Sequence, residues 1–171
     1  MKKIFVIIFL ILAFGNKALA ETPHYLDFKL ILNQSDAGKK AQKFLKDKLE
    51  NGIKNIKNKQ KKILEEEKKL IQQKKVLSNE DYKSKVTELR SKVSSLQKER
   101  NSLMQSVAKQ RSKAKSELLK NLNPIVKNFM KEKKIRMVID KKDVLLADEE
   151  LDITNEIMKS LNKNLKSINL N

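Results

Sequence analysis

The lysines carry the most evident chemistry of this 171-residue chain. Lysine and arginine number 39 against 21 aspartates and glutamates, which gives a formal net charge of +18 at pH 7. Two stretches hold most of the excess: fourteen lysines stand against five acidic residues between Lys39 and Lys75, and eleven basic residues against three acidic ones between Lys83 and Lys120. A surface of one charge attracts polyanions over a long range. The sequence therefore indicates non-covalent binding of acidic partners.

Six basic residues of these stretches are candidate contacts for such a partner: Lys57, Lys61, Lys68, Lys75, Arg90 and Arg100. Most runs of charge belong to an ordinary solvated helix surface. Such a surface, however, usually mixes both signs and gains ion pairs between residues four apart. Because both stretches repel themselves, we favour a binding surface over a merely solvated one.

Catalytic and metal-binding patterns are scarce. His24 is the single histidine, and one histidine is more typical of a surface or strand edge than of a catalytic or metal site. The acidic run Glu65–Glu67 precedes Lys68 and Lys69, so local ion pairing explains it better than acid–base chemistry. The chain has no cysteine and three glycines, which excludes a thiolate metal site, a disulfide and a glycine-rich phosphate loop. We expect a protein that is not an enzyme, with no catalytic residue, metal or cofactor.

Residues 1–20 have the pattern of an export signal. Lys2 and Lys3 precede an apolar run at residues 4–14, and residues 18–20 (ALA) form a small-x-small cleavage site. The apolar run is short for a membrane span, so a cleaved signal is favoured over an uncleaved anchor. Loss of the three lysines of this segment lowers the charge from +18 to +15. We expect a periplasmic protein, for which anionic lipid, lipopolysaccharide or acidic polypeptides are better partners than nucleic acid.

Residues 37–133 are predicted to form a long antiparallel helical hairpin with a coiled-coil seam. Apolar residues recur every seven positions in three series: Leu49, Ile56, Ile63, Leu70 and Leu77, then Tyr82, Leu89, Leu96 and Leu103, and beside them Val86, Val93, Val107 and Ala114. Arg100 interrupts the last series between Val93 and Val107. Ser35 and Ser78 are placed to cap the two helices. The result is two helices of about forty to fifty residues, which extend on the order of 60 to 75 Å.

This seam is thinly apolar, because Gln60, Glu67 and Lys74 occupy positions where a robust coiled coil has leucine. We therefore expect the end of the hairpin near Ser78 to fray. Pro124 predicts a kink or a restart of the second helix.

Three further residues of the hairpin leave two interpretations open. Gly38 permits close packing of a neighbouring backbone or has no special role. For Phe44 and Met104, packing into a core is favoured over exposed contact with a partner.

The remaining residues, 21–36 and 134–171, predict a small β-rich body. Alternation predicts a strand over Tyr25–Leu30 and a strand pair over Ile135–Asp140 and Val144–Ala147. Asp152 is placed to cap a last helix, whose apolar stripe is Ile153, Ile157, Leu161 and Leu165. Three short strands and two helix ends offer too little core for one chain. We expect the chain to form oligomers through this body.

Both ends of the mature chain resemble a known family. Residues 26–32 (LDFKLIL), 35–41 (SDAGKKA), 138–141 (VIDK), 144–148 (VLLAD) and 151–157 (LDITNEI) are similar to the periplasmic chaperone family Skp, also called OmpH. The resemblance implies a homotrimer, in which a β-rich trimerisation body carries three helical tentacles around a basic cavity. It further implies that unfolded outer-membrane proteins are held there without ATP and kept from aggregating. A lipopolysaccharide-binding patch has been proposed within the family, and we assign it to no residue of this chain. A structural coiled coil that tethers anionic envelope surfaces remains the alternative.

Overall fold

The computed structural model describes residues 22–170, so the signal predicted for residues 1–20 lies outside the described residues. The fold is mainly helical with a small strand component, as predicted. In chain order the elements are β1 (His24–Leu26), α1 (Phe28–Gln34), α2 (Asp36–Gln73), α3 (Asn79–Lys133), β2 (Val138–Asp140) and α4 (Thr154–Asn164). Two short 3-10 turns, Lys141–Asp143 and Glu149–Leu151, connect β2 to α4.

Helices α2 and α3 pack against each other as a hairpin. They contain 38 and 55 residues, which at about 1.5 Å per residue gives roughly 57 and 83 Å. Both predicted caps are confirmed: the Ser35 hydroxyl oxygen accepts from the Gly38 N–H at 3.2 Å, and that of Ser78 from the Asp81 N–H at 3.1 Å. Helix α3 continues through Pro124 without a restart.

The hairpin is well packed at its root, which comprises residues 37–49 of α2 and 103–122 of α3. One cluster there contains four buried hairpin residues, Ala41, Leu45, Val107 and Ala114. Between the root and the tip near Ser78, the buried residues of α2 are Ile56 and Leu70. No residue of α3 before Val107 is buried. Packing therefore weakens along the hairpin toward its tip.

The body is built around β1, which contacts two later parts of the chain. Strand β1 pairs in parallel with β2, and the register places Tyr25 opposite Ile139. On the other side of β1, the Ile153 N–H donates to the Tyr25 carbonyl at 3.0 Å. A core formed by α1, α4 and the end of α3 lies beneath these strands, with the buried residues Leu26, Ile31, Ala37, Leu118, Leu122, Ile153, Ile157 and Leu161.

The single strand predicted over Tyr25–Leu30 is wrong beyond Leu26. The Asp27 carboxylate accepts from the Leu30 N–H at 2.7 Å, and it thereby caps α1. Ile31 of that helix is fully buried, whereas Leu30 is exposed. A helix start therefore overrides the local alternation.

The predicted strand pair is also wrong within the chain. Of its first member only Val138–Asp140 forms a strand, and it pairs with β1 instead of with Val144–Ala147. Leu145 and Leu146 in the latter segment are 95% and 91% exposed. The region predicted to be β-rich is thus mostly helix and loop in the described single chain.

Asp152 was predicted to cap the last helix, but it lies one residue before the N-cap position. Its carboxylate accepts from the Thr154 N–H at 2.9 Å, although the N-cap position of α4 is Ile153. Burial alone would raise the pKa of Asp152, but hydrogen bonds from Lys141, at 2.8 Å, and from Thr154 outweigh it and lower the pKa. A depressed carboxyl pKa stabilises the fold above the ordinary pKa of aspartate, and this contribution is lost as pH falls through the folded value.

Gly38 meets a neighbouring backbone closely, which yields a test of the fold. A Cβ at Gly38 would lie 2.1 Å from the Leu32 carbonyl oxygen, whereas one at Gly52 would meet the flexible end of Leu103 at 2.5 Å. Alanine favours an exposed helix by about 1 kcal/mol over glycine, but overpacking costs about 1 to 3 kcal/mol. A contact this close to a backbone atom takes the upper end of that cost, so after the helix preference is subtracted we expect Gly38→Ala to lower the free energy of unfolding by about 2 kcal/mol in urea denaturation. Gly52→Ala is the matched control and should change it by less than about 1 kcal/mol; equal effects would contradict this account of Gly38.

Candidate functional site

All six candidate basic residues lie on the hairpin and are exposed: Lys57, Lys61, Lys68, Lys75, Arg90 and Arg100. Three of the lysines, Lys57, Lys61 and Lys68, belong to α2, where spacings of four and seven residues place them on one stripe. Lys75 lies in the turn that follows this helix. The seam residues Ile56 and Leu70 lie on another face of this helix and are buried. The stripe therefore points away from the partner helix and is about 17 Å long from Lys57 to Lys68.

Cross-hairpin contacts fix the register between the two helices. Lys59 lies 2.6 Å from Glu99, and Lys92 lies 2.8 Å from Glu66. At this register Arg90 is level with Lys68, and Arg100 is level with Lys57. The structure therefore spreads the six candidates along the hairpin and does not gather them into one compact pocket.

Several acidic residues of the hairpin are engaged in ion pairs. Lys92 bridges Glu66 of α2 and Glu88 of its own helix, at 2.8 and 2.9 Å. The hydrogen bond from Lys92 lowers the pKa of Glu88, and the hydrogen bonds to both glutamates raise the pKa of Lys92. Local pairing predicted for Glu65–Glu67 is thus wrong for Glu66, whose partner is on the other helix. Since acids are few, the remaining lysines keep the surface strongly basic.

Apolar side chains are exposed among these charges. Phe44 is 38% exposed and Met104 44% exposed, so the favoured prediction that both pack into a core is wrong for the described chain. Leu64, Ile71 and Val93 are also exposed. A partner that contacts the hairpin can therefore meet both positive charge and small apolar areas.

The weakening of the seam predicts a gradient of backbone protection. Few apolar contacts hold the tip, and segments of low contact density open at low free energy. We expect amide hydrogen exchange to be fast around Ser78 and progressively slower toward Val107 and Leu122, as measured by mass spectrometry of peptides along the chain. Uniformly slow exchange along both helices would contradict a compliant tip.

His24 belongs to β1 and has a structural environment. Its backbone N–H donates to the Met137 carbonyl at 3.1 Å, and its side-chain Nδ1 is buried without a hydrogen-bond partner. Among residues 22–170, no group of three or more histidine, cysteine, aspartate or glutamate side chains could hold a metal ion. Over the same residues, none of the helices is both long and apolar enough to cross a bilayer.

Sequence reasoning missed one polar cluster at the hairpin root. Gln110 of α3 donates from Nε2 to the Leu170 carbonyl at 2.7 Å and accepts from the Lys48 ammonium at 2.8 Å. Lys48 also lies 2.9 Å from the Ser106 hydroxyl. The seam register, which places Lys48 level with Gln110, could have suggested the pair, but nothing local signals the contact with Leu170.

The arrangement of a long basic hairpin on a small body matches a known family. The family model described as outer membrane protein (OmpH-like) matches residues 24–161. The chain belongs to the OmpH-like family. The resemblance of its two ends to Skp/OmpH sequences is thereby confirmed.

A solved structure shows the same fold as this OmpH-like chain. It is a crystal structure of an OmpH-like candidate outer membrane chaperone from Caulobacter crescentus CB15. The two chains share 19% sequence identity, the match covers 86% of this chain and 89% of that one, and the TM-score is 0.79. Comparison with curated proteins finds no match.

Proposed function

We propose that this OmpH-like protein is an ATP-independent holding chaperone of the periplasm. In this proposal it binds unfolded outer-membrane proteins in a basic cavity between hairpins and prevents their aggregation. Membership of the OmpH-like family supports a chaperone role, as does the fold shared with the candidate chaperone from Caulobacter crescentus. We assign it no catalytic function and no cofactor, and nucleic acid is not among the proposed partners.

The observation that carries the proposal is the hairpin surface. It combines an excess of lysine with scattered exposed apolar side chains such as Phe44 and Met104, on helices whose packing weakens toward the tip. Positive charge attracts acidic clients from a distance, and apolar contacts retain them at short range. A compliant tip accommodates clients of different size. Weak multiple contacts also permit release without a nucleotide, because folding of the client in its membrane is more favourable.

The body supports a homotrimer as the working form. Strands β1 and β2 have three residues each, and a sheet so small is unstable by itself. Next to it, Met137, Leu145 and Leu146 are 58%, 95% and 91% exposed. Burial of these side chains against two further copies would complete the core and place three hairpins around one cavity.

A binding experiment separates this proposal from a tethering coiled coil. The proposed chaperone should bind a fluorescently labelled outer-membrane barrel that is kept unfolded, with equal affinity in the presence and absence of ATP, and should not bind the same barrel folded in micelles. A tether would instead bind anionic vesicles or lipopolysaccharide in proportion to its charge and would ignore the unfolded barrel. The basic surface of the hairpin favours this second function as well. Binding to vesicles without binding to the unfolded barrel would overturn the chaperone proposal.

A further inference from the structure

The segment after α4, residues 165–170, lies across the hairpin root. Leu165 has extended backbone angles, φ −132° and ψ 104°, and no regular helix or strand follows it. Leu170 is 5% exposed and belongs to the buried cluster of Ala41, Leu45, Val107 and Ala114. The segment lies beyond residue 161, where the match to the OmpH-like family model ends.

Polar contacts hold the main chain of this segment. The Gln110 side-chain amide donates to the Leu170 carbonyl at 2.7 Å, and Lys48 orients that amide by donating to its oxygen at 2.8 Å. A hydrogen bond to a backbone carbonyl is available from any residue type. This hydrogen bond therefore requires only an accessible backbone carbonyl, whereas selectivity between segments comes from the apolar side chains that pack against the root cluster.

The side chains of residues 167–170 alternate in their environment. Ile168 is half-buried and packs against both the root cluster and the body core, and Leu170 is buried two residues later. Ser167, which precedes Ile168, and Asn169, which lies between Ile168 and Leu170, are exposed. In extended chain, residues two apart share one face. Strands of outer-membrane barrels have this same alternation of apolar and polar residues.

We propose that the root groove, formed by Ala41, Leu45, Val107, Gln110 and Ala114, is a binding site for one extended client segment. The segment carries apolar side chains two residues apart, as an unfolded barrel strand does. Residues 165–170 occupy the groove until a client displaces them. This inference rests on the proposed function, because it names the client element that the hairpin root recognises.

Residues 165–170 compete with clients for the root groove, and a client must bind tightly enough to displace them. A segment joined to its site by a short linker has an effective concentration in the millimolar range. A single short peptide displaces it poorly, whereas an unfolded barrel offers many alternating segments and also gains affinity from the basic hairpin. The groove would therefore open for long unfolded clients in preference to isolated peptides.

The full-length chain can report displacement directly. It has no native cysteine, so Ser167→Cys, at an exposed position, accepts a single nitroxide label. On addition of a urea-unfolded barrel we expect the label's electron paramagnetic resonance spectrum to change from restricted to mobile. A matched label at Lys163→Cys, in the last turn of α4, should not change. A Ser167 label that stays restricted while the barrel is bound would overturn the proposal.

Nuclear magnetic resonance tests the chemistry of the groove independently of chaperone activity. In the chain carrying Ile168→Ser and Leu170→Ser, a blocked peptide of residues 165–170 should shift the resonances of Val107 and Ala114 saturably. The same peptide should bind the unsubstituted chain at least about tenfold more weakly, because the tethered segment competes. A peptide with serine at both apolar positions should not bind. Equal binding to both chains, or no binding to either, would refute the site.

The outcomes distinguish this inference from the function on which it rests. Peptide binding in the groove without suppression of barrel aggregation would keep the site and remove the chaperone function. Suppression of aggregation without release of the Ser167 label would keep the function and remove the site.

Discussion

Aspartate at both Leu145 and Leu146 is expected to abolish the proposed trimer. These side chains are more than 90% exposed in the single chain, so their replacement removes almost no contact from the isolated fold. In the trimer, burial of two leucines contributes about 3 to 6 kcal/mol per chain, and buried unpaired carboxylates would add a further cost. Sedimentation velocity at micromolar concentration should show the species shift from three chains to one.

Val76→Asp is the matched control for this variant. Val76 is 86% exposed, but it lies at the tip of the hairpin, far from the body. The Val76→Asp variant should sediment as the unsubstituted chain does.

The substitution Ile139→Asp offers a second route to the same result. Ile139 lines an apolar cleft of 490 Å³ beside Leu26 and Phe28, so this variant should also dissociate the assembly. A Leu145 and Leu146 double variant that remains trimeric would show that this segment is outside the interface.

Glutamine at Lys57, Lys61, Lys68 and Lys75 is expected to slow client capture about tenfold or more at low salt. Long-range attraction of this size accelerates association by about 10- to 1,000-fold. The screening length is about 8 Å at 0.15 M salt and about 3 Å near 1 M, so high salt should produce the same slowing in the unsubstituted chain. Stopped-flow fluorescence of a labelled unfolded barrel measures the rate.

Retention of the client should change less than capture, because apolar contacts are not screened by salt. The matched control removes the same charge from exposed positions of the body and its border, Lys29, Lys133, Lys159 and Lys163. It should leave the capture rate within about twofold of the original, since charge outside the cavity contributes less to steering. Equal slowing by both sets would mean that net charge, and not the hairpin stripe, drives capture.

The sequence was most informative where structure depends on neighbouring residues. The seven-residue repeat predicted both long helices, and Ser35 and Ser78 predicted where they begin, because capping uses a side chain three residues from its partner. Alternation at Leu26, Phe28 and Leu30 was misleading, since it does not show that the Asp27 carboxylate starts a helix.

Contacts between distant residues could not be predicted in the same way. The parallel pairing of Tyr25 with Ile139 joins residues more than a hundred positions apart, and no local pattern specifies it. The same holds for Gln110 and the Leu170 carbonyl. Basic candidates such as Lys61 were predicted to be exposed, and the structure confirms it. Charge and heptad position together place these residues on the solvent face of the helix. Phe44 was misassigned because an apolar residue next to the seam can be buried or exposed.

Suppression of barrel aggregation is the most direct test of the proposed function. An outer-membrane barrel unfolded in urea is diluted into buffer with increasing amounts of the chain, and light scattering is followed over time. A holding chaperone should abolish scattering without ATP, and protection should saturate near three chains per barrel, as one trimer around one client requires. Scattering that is unchanged at every ratio, from a chain that is folded and binds anionic vesicles, would contradict the holding function.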